Sequence, residues 1–258
     1  MRVTAMIFIA LVLHIPGSTF AQEWIEYTSR EDSFLVNFPG QPNVRGITFT
    51  SEYSYPLPAR VYGAERDGAR YLLTVVDYRG IEQLGVERAK ACPAGAEPCR
   101  GQPTGVIGPA YSKMDVRGAI NYALFLFLQR DVKVTHMSWN WTNLIEGLFL
   151  QFTNPDQSRT FAAIHMHENK LYVQEGIVPK DAIAASAVLF QQSLGFLDQA
   201  GNTVRYQGII YSNAYHGTRL YPPPVAPPPA GAGGGAAAPA NPYGAPAPAQ
   251  GGSQGGAR

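Results

Sequence analysis

The chain has 258 residues, with 20 Lys and Arg against 19 Asp and Glu. That balance excludes both a strongly basic nucleic-acid binder and an acidic solvating chain. Its 27 Gly and 21 Pro are unevenly placed: 19 of the 37 residues from Pro222 to Arg258 are one or the other, and Arg258 alone is charged there.

Arg2 precedes an apolar stretch from Val3 to Leu13, followed by Pro16-Gly17 and Thr19-Phe20-Ala21. This pattern predicts a secretory signal over residues 1–21, cut after Ala21; the run is too short for a bilayer span of about 20 residues. No cysteine follows the cut, which argues against a lipid anchor. Removing Arg2 leaves 19 basic against 19 acidic side chains. The expected product is periplasmic or secreted, without a membrane span, and folds as one domain over residues 22–221.

Within that domain, Trp24 to Thr28 reads as a first strand, and Phe34, Val36 and Phe38 form one face of a second, ended by Pro39-Gly40. Arg60 to Arg66 and Ala69 to Tyr78 flank Asp67-Gly68, a dipeptide suited to the positive φ values of a tight hairpin turn. A helix is expected from Ile81 to Ala91. Cys92 and Cys99 then enclose Pro-Ala-Gly-Ala-Glu-Pro. In an oxidising compartment this pair is expected to be a disulfide, worth about 2.5 kcal/mol for so short a loop. Redox or metal chemistry would want Cys-x-x-Cys spacing or a second ligand pair.

The strongest helical pattern runs from Ser112 to Arg130. Val116, Ala119, Ile120, Ala123, Leu124 and Phe127 share helical spacing, and Ser112 and Asp115 are read as a capping pair. Val132 to Thr142 and Ile145 to Thr153 alternate like adjacent strands, and Asn154-Pro155-Asp156 turns the chain. Arg159 to His167 and Lys170 to Val178 read as a hairpin around Glu168-Asn169. A helix is expected after Pro179, with Ile183, Ala187, Phe190 and Leu194 on one face and Gly195 as its stop; Thr203 to Tyr211 reads as a final strand. Strands in series with two or three helices predict an α+β fold, an antiparallel sheet with helices packed on it. The tail over residues 222–258 is expected to be disordered, because it cannot bury enough apolar surface to offset its ordering entropy.

Three segments carry a recognisable pattern: Phe34-Leu-Val-Asn-Phe-Pro-Gly-Gln-Pro42, Arg159-Thr-Phe-Ala-Ala-Ile-His165, and Leu171 through Pro179 to Phe190-Gln-Gln-Ser-Leu-Gly195. Together they resemble a group of uncharacterised exported proteins of rhizobia-type alphaproteobacteria and, more distantly, the PsbP-like α+β sandwich. The resemblance implies a fold and an exported location. PsbP-like domains act as accessory subunits or as binders of lipid-like ligands, but no ligand residue of theirs maps onto this sequence.

Catalytic signatures are weak. Gln191-Gln-Ser193-Leu-Gly195 has Gln where a serine nucleophile's first Gly would stand, and in His167-Glu168 Leu171 occupies the place of a zincin's second His. His165 and His167 share a strand face and, with His136 or Glu175, would be the candidates for a three-ligand metal site; the alternative is a partly solvated strand face on which the imidazoles sit in water or hydrogen-bond locally. Trp139 and Trp141 share a face with Met137 and, with Phe149, are the candidate lining of an apolar ligand cleft, weighed against ordinary core. The sequence points to a non-catalytic binding or accessory protein of the bacterial envelope, without a cofactor, whose partner is an envelope protein or a small apolar ligand. The alternatives are a carrier of a lipid-like or aromatic molecule, and a metal-assisted hydrolase using His165 and His167.

Overall fold

The computed structural model describes residues 24–91, 93, 111–208 and 210–213. The predicted signal, the Cys92–Cys99 loop and the Pro/Gly-rich tail lie outside the described residues.

Among the described residues, ten strands and three helices follow in the order β1 (Ile25–Ser29), β2 (Phe34–Phe38), β3 (Asn43–Thr50), β4 (Pro56–Arg66), β5 (Ala69–Asp77), α1 (Ile81–Ala91), α2 (Tyr111–Leu128), β6 (Lys133–Thr142), β7 (Ile145–Thr153), β8 (Arg159–His167), β9 (Lys170–Val178), α3 (Ala185–Gln191) and β10 (Gly195–Phe196). Seven strands form one antiparallel sheet in the order β3-β4-β5-β9-β8-β7-β6, and β1-β2-β10 form a small second sheet. This is the expected α+β arrangement. Strand β8 is buried along nearly its whole length on both faces, which explains why its sequence reads as a continuous run rather than an alternation.

The large sheet is covered on each side. Helices α1 and α2 lie on one face, where Val116, Ala119, Ala123 and Phe127 pack with Leu57, Val76, Ile164 and Leu171. The small sheet and α3 cover the other, where Phe34, Phe38, Phe190 and Phe196 meet Tyr71, Leu73 and Tyr172. The hairpins follow their turn residues: Asp67 and Gly68 adopt φ of 52° and 74°, Glu168 and Asn169 of 46° and 59°.

Strand β3 carries no alternating signal in the sequence, because its first half is exposed and Gly46 interrupts it. Two expectations are corrected. The helix expected from Pro179 to Leu194 is only Ala185–Gln191; Ile183 is solvent-exposed, and Gly195 opens β10 opposite Leu35. The described residues of 203–211 make isolated bridges, Leu197 to Thr203 and Ile145 to Tyr211, in place of the expected strand. The reason is Tyr206 and Tyr211. An odd spacing would send them to opposite faces of a strand, yet both rings pack on His167 and stack on each other at 5.0 Å, so the segment leaves strand geometry.

Candidate functional site

Strand parity and register place the chemically interesting side chains in three groups. The first is the histidine pair. Alternation on β8 puts His165 and His167 together on the face covered by the small sheet, and both are fully buried. His165 lies over Gly147 of β7, between the rings of Phe149 and Phe196, with Nδ1 3.2 Å from the Glu146 carbonyl. His167 Nε2 shares a hydrogen bond of 3.0 Å with the Tyr206 hydroxyl, and Tyr211 closes the other side. Burial disfavours the charged ring and lowers His165 to about 4; burial, helped by the Lys170 charge, lowers His167 to about 3.

The expected metal partners are elsewhere. His136 sits on exposed β6 beside Ser138, and Glu175 pairs with Arg130, in register with Ala162 of the helix-side core. Among the described residues no three His, Cys, Asp or Glu side chains are grouped to hold a metal ion. The partly solvated strand face expected as the alternative is also absent: both imidazoles are interior aromatic packing.

The second group is a charged cleft of about 180 Å³ where the β1–β2 turn packs on the ends of β4 and β5. Asp32, nearly inaccessible, accepts from Arg60 Nε at 2.6 Å, Arg60 Nη2 at 2.5 Å and the Tyr62 hydroxyl at 2.6 Å. Burial alone would push its carboxyl up; the Arg60 and Tyr62 hydrogen bonds and the Arg60 and Lys170 charges outweigh that and hold it below the ordinary aspartate value. Lys170, also buried, donates to the Glu31 carbonyl at 2.7 Å and Ser33 Oγ at 3.2 Å, and Arg79 makes a bidentate pair with Asp77. Sequence reasoning missed this cluster. Its signal was parity: Arg60 and Lys170 occupy the same strand face as Tyr62 and Tyr172, where an apolar residue is expected.

Asp115 belongs to the same lesson. It is completely buried and accepts from Ser51 Oγ and from the amides of Glu52 and Tyr53 at 3.1 and 3.3 Å. It therefore latches the β3–β4 loop to α2 and is not the helix-capping residue expected. Burial raises its carboxyl, against those hydrogen bonds. The Gln-Gln-Ser-Leu-Gly serine is structural as well: Ser193 Oγ donates to the Phe190 carbonyl at 2.8 Å and accepts from the Asn37 amide at 3.2 Å.

The third group is the edge strand β6. Trp139 faces Leu148 and Trp141 faces Glu146 across β7, on the helix side of the sheet, but α2 stops short of covering them. Met137, Trp139 and Trp141 are 55%, 52% and 48% exposed, and the two indoles touch at 5.0 Å. Phe149 points to the opposite face, toward His165. The structure thus separates the three residues expected to line one cleft, and Trp139 and Trp141 are not core.

No family model matches the chain, and no curated protein matches it.

Proposed function

We propose that the chain is an exported, non-catalytic binding or accessory protein of the bacterial envelope, and that β6 is its binding element. The export signal and PsbP-like resemblance read from the sequence belong to this proposal. The observation that carries it is the row Met137, Trp139 and Trp141, half exposed on a strand that ends the large sheet, with no strand paired to its outer side among the described residues. Covering a large apolar side chain is worth about 1.5–3 kcal/mol, and bare apolar edges are association sites. The chemical groups elsewhere support the same reading. The cleft's charges spend their hydrogen bonds on one another, and the buried histidines are neutral packing groups.

Native mass spectrometry of the protein isolated from its own envelope tests the reading. The expected spectrum contains a protein–protein complex that Trp139→Ser/Trp141→Ser abolishes. A co-purifying organic molecule retained by that double variant would instead support the carrier, and a stoichiometric metal lost in His165→Gln would support the hydrolase.

A further inference from the structure

We propose that β6 pairs with β6 of a second copy, antiparallel about a two-fold axis through Trp139. This rests on β6 being the binding edge and names its occupant.

The backbone selects the register. The turn Asn143-Leu144 joins Thr142 and Ile145, so Thr142, Asn140 and Ser138 direct their backbone groups to β7. Those of Met137, Trp139 and Trp141 then point to the open edge, and there the Trp141 amide is held by its own Asn140 Oδ1 at 2.6 Å. A register irregularity between Val134 and His136 ends regular pairing on one side, and the turn ends it on the other. The regular stretch is His136–Thr142, and its midpoint is Trp139.

Pairing that stretch with itself sets Trp139 against Trp139 and Met137 against Trp141, all on one face. Ser138 meets Asn140 and His136 meets Thr142 on the other. The apolar row is therefore complementary to itself, as an isologous interface requires. No Lys, Arg, Asp or Glu lies between Val134 and Thr142, so like charges do not meet across the axis. The opposite edge, β3, carries Arg45 and Gly46 in mid-strand, features that blunt strand addition. Balanced side-chain charge adds no long-range repulsion between copies.

Size sets the affinity. A Trp buries about 150–250 Å², so two half-exposed indoles and Met137 offer roughly 300 Å² per copy, below the ~800 Å² per partner of a standard interface. The dimer is accordingly weak and reversible.

Sedimentation equilibrium of the signal-free chain from 1 to 200 μM tests this, together with hydrogen exchange at both ends of that range. The expected result is a monomer–dimer equilibrium in which the Met137 and Trp139 amides gain protection at high concentration. Trp139→Lys, confirmed folded by circular dichroism, should weaken it more than tenfold, Trp141→Arg should do the same, and Val44→Lys on β3 should not. A monomer at 200 μM, or a dimer indifferent to both Trp variants, overturns the proposal. If the purified chain is monomeric while Trp139→Lys still dissolves an envelope complex, the second copy fails as occupant and β6 survives as the binding edge.

Discussion

Acidification from about pH 7.5 to pH 5 should cost the fold about 4 kcal/mol through two imidazoles. His165 and His167 have an ordinary value of 6.5 when exposed by unfolding, and burial lowers them to about 4 and about 3 in the fold. Both folded values lie below the unfolded one, so the stabilisation is complete above about pH 6.5 and is lost as pH falls toward the folded values. At pH 5 the unfolded chain holds nearly one extra proton at each site. The loss is about 1.36 kcal/mol per pH unit per group, so about 2 kcal/mol from each ring. Urea denaturation followed by circular dichroism at the two pH values measures the difference. His165→Gln/His167→Gln removes both titrating groups and should reduce the loss to below about 1 kcal/mol. Equal wild-type stability at both pH values, or the same loss in the double variant, would refute the assignment, as would ring proton shifts of either histidine titrating near 6.5.

Asp32→Ala should destabilise by about 2–3 kcal/mol in urea denaturation. Removing one partner of a buried pair costs about 3–5 kcal/mol, discounted here because the Arg60 side chain is 32% exposed and keeps Glu31. Because Asp32 is held below its ordinary value, it stabilises above about pH 4 and loses that contribution as pH falls through its folded value. Asp32→Asn should therefore flatten the stability profile in that range, as denaturation at pH 2 to 5 would show. Gly147→Ala should cost about 1–3 kcal/mol or prevent folding, since a Cβ there would overlap the His165 ring and the Ile164 carbonyl. A thermal melt within a degree of wild type would contradict the packing described for His165.

Strand alternation made most of the large sheet legible. Turn residues placed Asp67-Gly68, and helical spacing gave α1 and α2 nearly to the residue. Where a side chain is used by something distant in sequence, the pattern misled. Asp115 looked like a helix-start residue because its loop, Ser51–Tyr53, is far away in the chain. Trp139 and Trp141 read as core or cleft because size and hydrophobicity were visible, whereas the edge position of β6 depends on the order of all seven strands. His165 and His167 read as partly solvated because nothing local shows that Tyr206 and Tyr211 fold back over them.

The claim that β6 is the binding edge is tested most directly by a photo-crosslinking amino acid at position 139, irradiated in the living cell, with position 44 on the opposite edge as control. The account predicts a covalent protein adduct at 139 and none at 44. Position 139 as unreactive as position 44 would contradict it.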